Sequence, residues 1–315
     1  MDLPALPSLF TDRLTALLGS ELSAKVQETF TTGHPTTFRV NTIKANPTKV
    51  AADLAVAGFE IKPSTFYSAA FSLVNKSLGE LSEQPAYKNG EIYVQNFSSM
   101  LPPLILDPHP GDKVADLAAA PGSKTTQLAA LMQNKGLILA NDASTIRLYK
   151  LKANLDQQGV TCVQTSRGIA ELMWRKHQSQ FDHCLVDVPC SMEGRIRLDR
   201  PKTFEKWSVK SIKQLAKRQR QMLRSAVSMT KPGGTIVYST CTLAPEENEA
   251  VVDWVLQKTE GAVVVEPLEL SGVSFTAGIT EWDGMKFDPQ IAKTARVLPD
   301  GMFEGFYVAL LRRVL

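Results

Sequence analysis

The chain has 315 residues, 43% hydrophobic and 21% charged, the make-up of a globular protein with room for one large domain and a smaller one. Its formal net charge of +3 permits a nucleic-acid partner without requiring one. No apolar run nears the roughly 20 residues that cross a bilayer, and Met1 to Phe10 hold no basic region followed by an apolar one, so a cytoplasmic protein without membrane contact is expected.

Residues 1–33 read as amphipathic helix, with Leu14, Leu17, Leu18 and Leu22 recurring at helical spacing. Residues 37–43 (TFRVNTI) alternate like a strand, with Phe38, Val40 and Thr42 on one face and Arg39 and Asn41 on the other. Residues 49–57 read as a helix ended by Gly58, and Phe59, Ile61 and Phe66 suggest a return to extended structure. Pro85 and Gly90 mark a boundary. Two domains follow: residues 1–90, helical and then α+β, and residues 91–315.

Beyond residue 110 strands and helices alternate. Strands are expected at 113–117, 137–140, 161–164, 183–187, 235–239 and 306–311, and helices at 123–132, 145–157, 209–229 and 246–258. That order means an open, mostly parallel α/β sheet with helices on both faces, binding its ligand at the carboxyl ends of the strands.

Three motifs fall at those ends. The first, DLAAAPGSKTTQLA from Asp116, is a strand, a run of small residues and a helix opened by Gly122. Small side chains admit a ligand close to the backbone, and free amides at a helix start hold an anion. The nucleotide-triphosphate and nicotinamide readings both lose ground, because Ser123 separates Gly122 from Lys124, Leu117 replaces the earlier glycine, and GxGxxG is missing. A tight turn without ligand is the alternative. Asp142, after the second strand, is placed for ribose hydroxyls or as a helix cap.

The other two motifs carry cysteine. DVPCSMEG contains Asp187, Pro189 and Cys190; YSTCTLAPEENE contains Cys241. The chain's four cysteines form no CxxC pair and no His/Cys cluster with zinc spacing, so neither a metal nor a disulfide framework is expected. Cys162 and Cys184 fit buried packing. Cys190 and Cys241 lie in polar loops, where nearby helix starts favour a thiolate. Between them, residues 195–224 are crowded with Lys and Arg against only Asp199 and Glu205. Phosphate binding and a solvated helix face both account for that run.

Together the motifs resemble the NOP/Sun (RsmB-type) family of RNA cytosine-5 methyltransferases. The likeness rests on FRVNT at Phe38, YVQNFSSM at Tyr93, the loop ending APGSKT, PCSMEG at Pro189, YSTCT at Tyr238 and EGFYVALL at Glu304. The paired PC and TC loops are its most specific part. The resemblance implies a Rossmann-like S-adenosylmethionine-dependent methyltransferase fold behind a small N-terminal α+β, RNA-recognition-like domain. It implies Cys241 as nucleophile toward cytosine carbon 6, Cys190 as the cysteine that helps remove the carbon 5 proton, and Asp187 near nitrogen 3 and the cofactor. Ala118, Ala119, Ala120, Pro121, Gly122, Ser123, Lys124, Asp142 and Asp187 are the expected cofactor contacts. The partner is RNA, ribosomal or transfer, with Arg39, Asn41, Arg195, Arg197 and Lys202 expected to form a positive groove. The sequence departs from the family twice. No Asp follows the third strand in QTSRGIAEL, leaving Ser166 or a backbone amide for adenine, and Met192 stands where Gly is common.

Rival readings are a DNA cytosine methyltransferase, whose nucleophile is the Pro-Cys cysteine, and a non-catalytic RNA-binding ribosome-assembly factor. A small-molecule methyltransferase needs neither cysteine. Oligomeric state leaves no trace in the sequence.

Overall fold

In the computed structural model, which describes residues 4–315, Gly19 at φ 77° splits the N-terminal helical stretch into α1 (Ser8–Leu18) and α2 (Ser20–Thr29). The first three residues of the expected 1–90 region lie outside the described residues. The break resets the helical phase, so Ser23 and Val26 turn inward and Leu22, expected on the apolar stripe, is exposed. Phe10, Leu14, Val26 and Phe30 pack on Ile196, Phe204 and Leu243. Burial of each such side chain contributes about 1.5–3 kcal/mol. The helix pair thereby covers the segments that follow both rim cysteines.

A small antiparallel sheet comes next, built from β1 (Thr37–Val40), β2 (Ile61–Pro63), β3 (Ala70–Leu73) and β4 (Ile92–Val94) in the order β2-β3-β1-β4. The helices α3 (Pro47–Val56), α4 (Leu78–Ser82) and α5 (Pro85–Lys88) lie between these strands in sequence. Pro47 at the first helical position and the Asn46 side chain, which accepts from the Thr48 and Lys49 amides, start α3. Val50 and Leu54 of α3 close a core with Phe38, Val40, Phe71 and Ile92. Two boundaries differ from expectation. β1 stops at Val40, because Asn41 turns the chain by accepting from the Ile43 amide at 3.2 Å. β4 carries the small sheet past residue 90.

α6 (Phe97–Leu106) leads into the large sheet. Pro102 and Pro103 within it argue against helix in a sequence reading, and it was not among the expected elements. The sheet then takes β5 (Lys113–Asp116), α7 (Ser123–Leu131), β6 (Leu137–Asn141), α8 (Thr145–Gln158), β7 (Val163–Ser166), β8 (Phe181–Asp187), α9 (Val209–Met229), β9 (Thr230–Thr240) and α10 (Glu249–Thr259). It is completed by β10 (Val263–Glu266), β11 (Thr276–Ala277), β14 (Ala295–Val297) and β15 (Phe306–Arg313), while β12 (Glu281–Trp282) and β13 (Met285–Lys286) form a separate hairpin. The order is β11-β14-β15-β9-β8-β5-β6-β7, with β10 also on β15; β9, β8, β5, β6 and β7 run parallel. The chain proceeds from β5 outward to β7, then crosses to β8 and β9. The topological switch therefore lies between β5 and β8, where an open α/β sheet leaves a crevice. No helix among the described residues is long and apolar enough to cross a membrane.

Arg39 and Asn41 require a correction. Both were expected on an RNA-facing strand surface, but they are 0% and 1% exposed. The small sheet is covered on that side by the start of α7 and the end of α8. Arg39 donates to Gln95 (2.9 Å), the Ser123 carbonyl (3.2 Å) and the Thr126 hydroxyl (2.6 Å), with its guanidinium over the Tyr93 ring. Asn41 donates to the carbonyls of Gly90 and Gln158. They fasten the small sheet to α7 and α8 of the larger unit and line neither cleft described below.

Candidate active site

β5 ends at Asp116, and the chain crosses the small-residue run to Gly122, whose φ of 113° opens α7. A Cβ there would stand 2.8 Å from Leu151 Cδ1, so glycine is needed both for the backbone and for the packing of α8. Below the loop, Thr125 donates to Asp116 at 2.8 Å. Burial pushes the Asp116 carboxyl up to about 7. Lys124, 8% exposed, aims its ammonium at Asp187 Oδ2 (2.6 Å) and Ser99 Oγ (3.0 Å). Ser239 donates to the other Asp187 oxygen at 2.8 Å. The Asp187 carboxylate is thus fixed at the β8 end with part of its surface open.

Two adjoining clefts occupy the switch point. The larger, about 670 Å³, is lined by Ala118, Ala120, Pro121, Ser123, Lys124, Asp187, Cys190, Arg195 and Cys241, among others. The smaller, about 240 Å³, shares Ala118, Arg147 and Pro189 with it and adds Asn141, Asp142, Gly168 and Ile169. Ala119 and Gly122, expected as contacts, do not line either cleft. The Ala119 side chain packs with Leu148 and Leu151, while its amide donates to the Asn141 carbonyl. One Asp142 oxygen accepts from the Ser144 amide; the other is buried without a hydrogen bond, 3.2 Å from the Arg147 guanidinium. Asn141 Oδ1 is also buried and unpartnered. Beyond the third parallel strand it is Gly168 to Ala170, not Ser166, that border the smaller cleft.

The two expected cysteines meet at the rim. Cys190 Sγ and Cys241 Sγ are 3.4 Å apart. The hydrogen bond between them comes first among the causes that push the Cys190 thiol above its ordinary range, followed by burial and the negative charges of Cys241 and Glu247. This corrects the expectation that helix starts dominate at Cys190. Either sulfur can be the donor in that hydrogen bond. Cys184 is buried and Cys162 half-buried, both away from the clefts.

The three remaining cations expected to meet RNA divide. Arg195 borders the larger cleft half-exposed, 3.1 Å from Glu304. Burial works against its charge, but Glu304 and the two sulfurs outweigh that and hold it more firmly protonated. Arg197 is spent on a two-pronged pair with Asp199 at 2.8 and 2.6 Å. Lys202 is exposed on the same loop.

Several site residues carried no assigned role in the sequence reading. Ser99, Tyr93, Glu304 and Phe306 line the larger cleft, and all four fall within YVQNFSSM or EGFYVALL. Their presence in motifs was the available signal. Arg147, which borders both clefts and donates to the Ala120 carbonyl, sat in an unremarkable basic helix.

The family model described as 16S rRNA methyltransferase RsmB/F matches residues 103–312. A relative from Pyrococcus abyssi named tRNA (cytosine(49)-C(5))-methyltransferase is 39% identical over 285 residues, covering 88% of this chain and 87% of its own length. Ribosomal RNA small subunit methyltransferase F of Cronobacter sakazakii is 38% identical over 283 residues, and the chain spans 56% of the length of that relative. Among solved structures, a methyltransferase homolog protein from Pyrococcus horikoshii superposes with a TM-score of 0.85 at 34% identity, covering 98% of this chain and 96% of that one. NSun6 from Pyrococcus horikoshii with SFG gives 0.84 at 25% identity and covers 99% of both.

Proposed function

The chain belongs to the RsmB/F family of methyltransferases, and we propose that it methylates carbon 5 of cytosine in RNA, with Cys241 as covalent nucleophile. The observation that carries the reading is the sulfur pair 3.4 Å apart beside a carboxylate fixed by Lys124 and Ser239, with the nucleophile's role given to Cys241 by the likeness of its TC loop to the family.

The cytosine must leave any base stack to reach the larger cleft. Carbon 5 is a weak nucleophile until carbon 6 is attacked. The Cys241 thiolate forms a bond to carbon 6, and the displaced electron pair moves toward carbon 5 and nitrogen 3. Asp187 and Lys124 meet that edge of the ring, the ammonium offsetting the negative charge that builds there. S-adenosylmethionine supplies the electrophilic methyl group. The Asp142 oxygen paired with Arg147 and the unpartnered Asn141 oxygen in the smaller cleft suit ribose hydroxyls and a purine amine, and Ala118 of the small-residue loop borders both clefts. Once Cys241 is bonded to carbon, the hydrogen bond and charge that kept a proton on Cys190 are gone. Cys190 then gives its thiol proton to solvent and, as a thiolate, takes the carbon 5 proton; the electrons left behind form the carbon 5–carbon 6 double bond, and the carbon 6–sulfur bond breaks to return Cys241 as thiolate.

Relatives are named for both tRNA and rRNA, and the substrate of this chain is proposed as one of those two classes. Arg195 and Lys202, on the loop after Cys190, are the proposed phosphate contacts. The N-terminal region, residues 1–90, is proposed to contribute to RNA docking through surfaces other than Arg39 and Asn41.

The test is direct. Purified enzyme is given total RNA and methyl-labelled S-adenosylmethionine, and the digested nucleosides are identified by mass spectrometry. Labelled 5-methylcytidine that disappears with Cys241→Ser is expected; label on any other nucleoside, or undiminished label with the variant, contradicts the reading.

A further inference from the structure

Each rim cysteine is held by its neighbours on either side, and two of the holding groups are adjacent in sequence. Gln219 Nε2 donates to the Pro189 carbonyl (2.9 Å), just before Cys190, and to Glu247 Oε2 (2.7 Å). The Glu247 carboxylate accepts from the Ser191 amide, just after Cys190, at 3.1 and 3.3 Å. Asn248 does the same for the other loop. Its Oδ1 accepts from the Thr240 hydroxyl (2.6 Å) and its Nδ2 donates to the Thr242 carbonyl (3.0 Å), bracketing Cys241. Glu247 and Asn248 are 0% exposed and Gln219 is 1% exposed. The Tyr238 hydroxyl fixes the Glu247 carbonyl from below. Side chains also join the loops directly: Ser191 Oγ lies 2.7 Å from Thr242 Oγ1, Thr242 Oγ1 donates to Glu193 Oε2 at 3.1 Å, and the two sulfurs are 3.4 Å apart.

We propose that Glu247 and Asn248, with Gln219, form a clamp of positioning residues that sets the two sulfurs in register, Glu247 and Gln219 governing Cys190 and Asn248 governing Cys241. The clamp presupposes the covalent role of Cys241 proposed for the reaction. Neither Glu247 nor Asn248 lines the catalytic cleft; both hold the backbone beside a cysteine, and the Glu247 charge also acts on the Cys190 thiol. Burying a carboxylate works against its charge, so a glutamate at this position needs an offsetting use. Its hydrogen bonds from the Ser191 amide and from Gln219 supply one. Misplacement of a reacting group by about 1 Å costs on the order of 10²-fold in rate, which sets the scale expected.

The two halves of the clamp serve different steps, and that makes the idea separable from a general loss of structure. Glu247→Gln keeps the shape but sets an amide donor against the donors of Gln219 or Ser191, loosening Cys190 alone. Asn248→Asp keeps the shape but loses the donor to Thr242, loosening Cys241 alone. The experiment measures covalent enzyme–RNA adduct on denaturing gels during turnover of the full chain with RNA and S-adenosylmethionine, alongside kcat and S-adenosylmethionine affinity. Glu247→Gln is expected to lower kcat on the order of 10²-fold while adduct accumulates, as release from carbon 6 stalls. Asn248→Asp is expected to lower kcat similarly while adduct falls. Cofactor affinity should be unchanged in both. Should Glu247→Gln fail to fold, Gln219→Met must show the same accumulation. Adduct falling in both variants, or turnover unaffected in either, overturns the clamp. Cys190→Ala serves as reference: adduct there with none from Glu247→Gln overturns the clamp alone, whereas no adduct there overturns the covalent reading and the clamp with it.

Discussion

Two clusters of buried polar side chains sit about the cofactor loop, and they are put to opposite uses. At the seam between the small sheet and helices α6, α7 and α8, Arg39, Gln95, Gln127, Asn41 and Gln158 bond to each other and to backbone carbonyls from both units. At the rim, Lys124, Asp187 and the two thiols also bond to one another, yet each borders an open cleft. A buried polar group must be partnered in either case. What separates architecture from chemistry is whether unspent bonding capacity faces empty space. The seam fixes where α7 begins, and the rim uses the side chain that α7 delivers.

Removing a member of each cluster should break the molecule in different ways. Cys241→Ala is expected to abolish turnover, by at least about 10⁴-fold for loss of a nucleophile, with thermal stability near that of the parent; a methyl-transfer assay paired with calorimetry checks both. Arg39→Met should do the reverse. It strips charge-assisted bonds from Gln95 and Thr126 and is expected to lower unfolding free energy by about 3 kcal/mol, read from denaturant midpoints, while the folded fraction keeps its RNA affinity. A loss of RNA affinity without loss of stability would restore Arg39 to the RNA face.

The comparison sharpens among the surface cations. Replacing Arg195 and Lys202 together with Ala should weaken RNA binding and flatten the dependence of log affinity on log salt by about 1.4, roughly 0.7 per single-strand phosphate contact. Arg197→Ala should change that slope little, because Asp199 already neutralises it. An equal effect from Arg197 would contradict the division.

The smallest effect concerns pH. Asp116 is raised in the folded state to about 7, chiefly by burial. The folded chain then holds a proton that the unfolded chain has released, so this group's contribution to stability falls as pH rises from about 4 to about 7 and is flat above. Asp116→Asn removes that proton, and the difference in melting temperature between variant and parent should grow in favour of the variant across that window. A constant difference would show Asp116 ionised in the fold.

The α/β alternation and both cysteine loops were legible because each rests on local signals: Gly159 and Gly122 punctuate helices, and the PC and TC pairs carry their own specificity. Arg39 was misread because alternation along a strand says which residues share a face, but not that helices of the larger unit cover the polar one. The α6 helix was hidden by its two prolines. Gln219, in the middle of the basic helix, looked like part of a solvated face; only the fold turns it toward Pro189.

The most direct test of the central claim is a trap. Cys190→Ala is expressed with its RNA substrate and isolated under denaturing conditions, with Cys190→Ala/Cys241→Ala as control. RNA covalently retained by the single variant and lost from the double is the expected result, and sequencing it would identify the target. Retention by Cys241→Ala with none by Cys190→Ala would exchange the roles of the two cysteines and contradict Cys241 as the nucleophile.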